Sequence, residues 1–161
     1  MRRAYVGLGA NLENPAAQVR EALRLIGARP GVRVVATSQL YRSTPLPGTG
    51  EQPDYCNAVC AVDTDLNPDR LLAHLHAIER SMGRERPPQR WAPRLIDLDL
   101  LHYERVKMKT SRITLPHPEL HKRNFVVAPL AEIAPELEIA GLPPLAQLAQ
   151  QLGRDGLAIW V

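Results

Sequence analysis

Aromatic side chains are scarce in this chain: one phenylalanine, two tryptophans and four tyrosines, 4% of 161 residues. No strand-like stretch carries the aromatic-rich run that stacks bases on an RNA-binding sheet, so each ring present is informative by its place. Cysteine is scarcer still, at two. Cys56 and Cys60 fall in a strand-like stretch, where four residues separate the Cα atoms by about 13 Å, too far for a disulfide. Their spacing is not that of a zinc site either, so both are expected as reduced core residues of a cytoplasmic protein. No apolar run approaches the roughly 18 residues that suggest a membrane span. The opening Met-Arg-Arg and Ala4 to Ala10 meet Asn11, Glu13, Asn14 and Pro15 before a signal-peptide core can form, so no secretion signal is expected. Nor is one sign of charge in large excess: 20 Lys and Arg face 17 Asp and Glu, for a net +3. The arginines cluster between Arg80 and Arg94, which points to local cationic chemistry and away from a nucleic-acid partner.

What is present fits one globular domain over 1–161, with 45% apolar and 23% charged residues. Arg3 to Gly9 reads as a first strand. Asn14-Pro15 opens a helix to about Ala28, with Asn14 as N-cap and Val19, Leu23 and Ile26 as its apolar stripe. Val32 to Tyr41 reads as a second strand and Tyr55 to Thr64 as a third, an antiparallel pair joined by a Pro- and Gly-rich loop. Asn67-Pro68 opens a second helix to about Met82; on it, His74 and His76 are expected as surface or packed histidines and not as ligands. A second loop, from Arg84, runs into a fourth strand over Leu95 to Leu101. The order strand, helix, strand, strand, helix, strand is that of an α+β, ferredoxin-like βαββαβ sandwich: an antiparallel sheet with helices packed on one face and two long, mobile loops. Beyond it, Arg112 to Leu115 suggests a short strand and Pro116-His117-Pro118 a turn into a short helix. An apolar run from Phe125 to Ile133, a helix from Pro143 to Leu152 and a strand at Leu157 to Val161 close the chain.

The most informative stretch is Arg90-Trp91-Ala92-Pro93-Arg94-Leu95-Ile96-Asp97-Leu98-Asp99-Leu100. Alternation in an extended strand puts Asp97 and Asp99 on one face and Ile96, Leu98 and Leu100 on the other. Two carboxylates roughly 6.5 to 7 Å apart suit a hard cation such as Mg²⁺. On spacing alone, two solvated acids on a strand edge fit equally well. The flanking Arg90 and Arg94 favour the cation, because a phosphate ligand would place its metals on the aspartates and its remaining charge on the guanidiniums.

Taken together, several motifs resemble those of the 6-hydroxymethyl-7,8-dihydropterin pyrophosphokinase family. They are Tyr5-Val6-Gly7-Leu8-Gly9-Ala10-Asn11, Tyr41-Arg42-Ser43-Thr44-Pro45, Gln52-Pro53-Asp54-Tyr55-Cys56-Asn57, the Trp91 to Asp99 stretch, Leu115-Pro116-His117 and Arg123-Asn124-Phe125. The resemblance implies transfer of diphosphate from ATP to a pterin alcohol with release of AMP, in folate biosynthesis, by a monomer using two Mg²⁺ ions. It implies that Asp97 and Asp99 hold the metals and that Arg84 and Arg94 serve catalysis. Glu79, Arg84, Arg86, Arg90, Trp91, Arg94, Leu100, Arg112, Thr114, His117 and Arg123 would contact ATP. Ser43, Thr44, Pro45, Leu46, Tyr55, Asn57, Trp91, Asp97 and Phe125 would contact the pterin, a flat heteroaromatic that needs aromatic faces and amide hydrogen bonds.

There are departures from the family pattern. Ala10 stands where serine is frequent, Pro118 where an aromatic is frequent, and Ser43-Thr44 matches the loop in either of two registers. Two other readings compete: a two-metal nucleotide hydrolase, which would not require Phe125, Tyr55 and Asn57 to converge, and an RNA-binding module, against which the two acids on the exposed face argue.

Overall fold

The computed structural model describes residues 1–45, 48, 50–83 and 95–161. Chain order is β1 (Arg2–Ala10), α1 (Pro15–Gly27), β2 (Val32–Thr37), β3 (Tyr41–Ser43), β4 (Tyr55–Thr64), α2 (Pro68–Ser81) and β5 (Asp97–Tyr103). There follow β6 (Met108–Lys109), β7 (Thr114–Leu115), a 3-10 turn at Leu120–Lys122, α3 (Asn124–Ile133), α4 (Leu145–Leu152) and β8 (Leu157–Ile159). Six strands form one antiparallel sheet in the order β5-β1-β4-β3-β8, with β2 also pairing to β4.

Alternation along β1 and β4 divides the core in two. Even-numbered residues, among them Val6, Leu8, Cys60 and Val62, pack with Val19 and Ile26 of α1 and Leu71, Leu75 and Ile78 of α2. Odd-numbered Tyr5, Val59 and Ala61 pack with Val127 and Leu130 of α3 and Leu145 and Leu148 of α4. Helices therefore cover parts of both faces, where the sequence led us to expect one. The second cover is hidden in the sequence because α3 is apolar nearly all round: six consecutive residues, Val126 to Ala131, are buried, so no stripe marks its core face.

The expected second strand is two strands. β2 stops at Thr37 and β3 starts at Tyr41, yet both pair with β4. Between them Ser38 keeps the ladder alive: its N–H donates to the Val59 carbonyl (2.9 Å) and its Oγ accepts from the Val59 N–H (3.0 Å). Both helix starts fall where expected, but only one is capped by its asparagine. Asn67 accepts from the Arg70 N–H at 2.9 Å. Asn14, at φ 60°, makes no side-chain cap bond, and the first turn of α1 relies on Pro15. The short strand expected over Arg112 to Leu115 is confined to β7, and β5 begins at Asp97.

Among the described residues no helix is long and apolar enough to cross a membrane. Both cysteines are free and buried. Burial pushes the Cys56 thiol up to about 11, against the opposing pull of Arg20 and Arg42, and Cys60 up to about 12. Neither thiol is therefore expected to react with a disulfide reagent at pH 8 until the protein unfolds, and both should then react together. Fast labelling of either in the native protein would contradict the packing. Ser38→Ala leaves the buried Val59 N–H without its acceptor and should cost about 1–3 kcal/mol in urea unfolding, whereas an unchanged midpoint would remove Ser38 from the ladder.

Candidate active site

Among the described residues, the sheet face that carries α3 and α4 is uncovered over its end nearest β5, where glycine makes room. Gly7 and Gly9 of β1 have odd parity and face this side. Across the strands Gly9 lies opposite Asn57 of β4 and Asp97 of β5, and Gly7 opposite Val59 and Asp99. A Cβ on Gly9 would come within 3.0 Å of the Asn57 amide nitrogen. The absent side chain leaves a floor of bare backbone between Asn57 and Asp97, two strand spacings or about 9.6 Å apart.

Above that floor lies a cleft of about 210 Å³, lined by Ser43, Thr44, Tyr55, Asn57, Asp97, Asp99, Arg123 and Phe125, with Gly7, Leu8, Gly9, Ala58, Leu101 and Val126 also on its walls. Asn57 is buried, and its Oδ1 accepts the Ser43 hydroxyl. That bond orients the amide, leaving its NH₂ group as the donor facing the floor. The Tyr55 hydroxyl donates to Gln52 Oε1 at 3.4 Å, and the buried Asn11 donates to the same oxygen at 3.3 Å and to the Pro53 carbonyl at 3.4 Å. Burial, and then the nearby Asp97 carboxylate, raise the Tyr55 hydroxyl above its ordinary value, so it stays protonated at neutral pH. The Arg123 guanidinium sits 5.8 Å from the Phe125 ring centroid, at the start of α3.

A second cleft lies beside the first. Leu72 and His76 of α2, Leu98 and Leu100 of β5, the β6–β7 connection from Thr110 to Thr114, His117 and Pro118 line it. Asp99 lines both clefts and, among the described residues, is the one common to their linings. Burial lowers the His117 imidazole, Asp99 pulling it back up and Arg123 pushing it further down. Its Nδ1 accepts from the Glu119 N–H at 3.1 Å, so the neutral ring carries its proton on Nε2 as a donor.

Of the residues anticipated from the sequence, Ser43, Thr44, Tyr55, Asn57, Asp97, Asp99, Arg123 and Phe125 converge on the first cleft. Leu100, Arg112, Thr114 and His117 converge on the second. Pro45 lines a separate groove that shares Ser43, Thr44, Arg123 and Phe125 with the first cleft. Glu79 lines neither cleft: it is 4% exposed, and its Oε2 accepts from the Leu98 N–H at 3.0 Å. Leu46, Arg84, Arg86, Arg90, Trp91 and Arg94 lie outside the described residues. His74 accepts a 2.7 Å bond from Arg29, in keeping with a packed residue, but His76 faces the second cleft. Gly7, Gly9, Leu72 and His76 were not anticipated. The signal for the glycines is their parity with Tyr5 on an otherwise apolar strand; nothing in the sequence separates His76 from any other helical histidine.

Among the described residues no group of three or more His, Cys, Asp or Glu is placed to hold a metal. Asp97 and Asp99 are two hard oxygen donors on one strand face. That set fits Mg²⁺, which keeps several waters and takes further oxygens from a phosphate substrate instead of from a protein cage.

The family model for 7,8-dihydro-6-hydroxymethylpterin-pyrophosphokinase (HPPK) matches residues 5–135. The 2-amino-4-hydroxy-6-hydroxymethyldihydropteridine pyrophosphokinase of Methylorubrum extorquens is 46% identical, over 88% of this chain and 88% of its own. The protein of the same name from Pseudomonas aeruginosa is 43% identical, over 98% and 96%. A solved Plasmodium falciparum HPPK-DHPS with pteroate superposes with a TM-score of 0.74 over 93% of this chain. Its identity is 14% and this chain spans 42% of its length, so that likeness concerns the fold alone. From the family match and the relatives of nearly equal length, the chain belongs to the HPPK family.

Proposed function

We propose that the two clefts hold the two substrates of a diphosphoryl transfer: ATP in the second, and 6-hydroxymethyl-7,8-dihydropterin in the first. Diphosphate moves to the pterin hydroxymethyl group and AMP leaves, a step in folate biosynthesis. The observation that carries this reading is that Asp99 lines both clefts, with Asp97 beside it in the first. A group bound in one cleft and a group bound in the other meet at the carboxylate pair.

The first cleft suits a pterin. Phe125 and Tyr55 offer aromatic faces, the oriented Asn57 amide offers donors to the heterocycle's edge, and Gly7 and Gly9 let a flat ring lie close to backbone. Ser43, Thr44, Pro45, Leu46 and Trp91 would complete the grip. The second cleft suits a nucleotide, with Leu100 and Thr114 toward the base and ribose and Arg112 and the His117 Nε2–H toward phosphate. Arg123, at the edge of the first cleft, reaches the same phosphates, and Arg84, Arg86, Arg90, Arg94 and Glu79 are assigned to ATP by resemblance. Two Mg²⁺ ions, when bound, would neutralise phosphate charge and lower the pKa of the pterin hydroxyl. The protein's own part is to hold the attacking hydroxyl in line with the β-phosphorus and to meet growing charge with fixed donors. The strand order β5-β1-β4-β3, with β2 and β3 together as one strand position, supports a ferredoxin-like ancestry to which α3, α4 and β8 are additions. We infer that the enzyme works as a cytoplasmic monomer.

Turnover of ATP with and without 6-hydroxymethyl-7,8-dihydropterin tests the reading. AMP should appear only with the pterin present; release of ADP and phosphate regardless of pterin would contradict it. Asp97→Ala should lower Mg²⁺-dependent turnover by at least about 10²-fold while the fold persists, since metal coordination contributes several kcal/mol at such a site; a near-normal rate would take Asp97 out of the reaction. Phe125→Ala should weaken pterin binding by about tenfold or more and leave nucleotide binding close to unchanged. Calorimetric titration of each ligand separates the two, and equal losses for both would overturn the cleft assignment.

A further inference from the structure

Glu79 is an awkward residue for a helix to keep. It lies in the last turn of α2, where a negative charge opposes the helix dipole, and it is 4% exposed, so its carboxylate is also taken out of water. Helix stability alone would not place an acid there. Its Oε2 accepts from the Leu98 N–H at 3.0 Å. Leu98 stands between Asp97 and Asp99 on β5, which ends the sheet among the described residues, so there an amide turned away from β1 has no neighbouring strand to bond.

We propose that Glu79 is a positioning residue for the carboxylate pair. By holding the Leu98 N–H it fixes the peptide plane joining Asp97 to Leu98. With it are fixed the backbone angles on either side and the directions in which the two aspartate side chains leave the strand. Cations seated on Asp97 and Asp99 then meet a preset pair and not a frayed strand edge. This goes beyond direct contact with ATP, and it rests on the reading that the aspartates hold a divalent cation.

Mn²⁺ binding, followed by electron paramagnetic resonance of the free ion, tests it without any turnover. Glu79→Asp keeps the charge but shortens the reach, and should weaken Mn²⁺ binding by about tenfold or more, the usual loss when a partner supporting a metal ligand is removed. Glu79→Gln keeps an acceptor of the same length and should bind Mn²⁺ within about twofold of the wild type, well inside that tenfold loss. Wild-type Mn²⁺ affinity in Glu79→Asp, or an equal loss in both variants, overturns the proposal. Asp97→Ala and Asp99→Ala run in parallel separate the two levels. If these keep Mn²⁺ binding, the metal reading itself fails; if they lose it while Glu79→Asp does not, only the positioning role fails. Should Glu79→Asp not fold, hydrogen exchange at the Leu98 amide of the wild-type protein decides: strong protection supports the bond, and exchange at the rate of a free amide overturns it.

Discussion

Two carboxylates one residue apart on the same face of a strand repel each other, and much of this architecture can be understood as what makes that arrangement tolerable and useful. The pair sits on the outermost strand, with Asp99 exposed and Asp97 half-buried, where solvent and a bound cation can both reach it. Behind the pair, Leu98 and Leu100 anchor the strand in the core shared with α1 and α2. Two residues on from Asp99, alternation places Leu101 in the other core, beneath α3 and α4, and a register shift opposite Tyr5 and Val6 then returns Tyr103 to the first. The strand is thus held from both sides of the sheet within a few residues of its acids.

From that fixed pair the division of space follows. The glycines of β1 leave a floor of bare backbone on one side, while α2, the β6–β7 connection and His117 line a second space beside Asp99. A neutral, donating His117 beside Asp99 and near Arg123 suits an anionic guest, whereas the other cleft offers rings and amides. Different chemistry on either side of one carboxylate is what a two-substrate transfer requires, and a hydrolase needing only water as its second substrate would have no use for the first cleft.

Much of this was legible in the chain. Alternation around Asp97 and Asp99 was visible because a strand with one buried face writes its period into its residues, and Asn67-Pro68 announced a helix start by capping chemistry that the fold uses. What stayed hidden did so for physical reasons. Ser38 bridges β2 and β3 through its own hydroxyl, so the sequence stays strand-like across a break in the backbone ladder. Asn14 fits the cap pattern, but its left-handed backbone turns the side chain away from the role. The cover provided by α3 leaves no periodic trace because that helix is buried nearly all round. For Glu79, resemblance suggested a place at the nucleotide; that it also accepts from the Leu98 N–H between the aspartates, 19 positions away, is something no local pattern reveals.

The most direct test of the account is crystallographic: anomalous scattering from Mn²⁺ in crystals grown with a non-hydrolysable ATP analogue and the pterin. The account predicts metal within about 2.0–2.3 Å of carboxylate oxygens of both Asp97 and Asp99, with the nucleotide's phosphates on the His117 side and the pterin over Gly7 and Gly9. Metal bound elsewhere, with both aspartates bare, would contradict it.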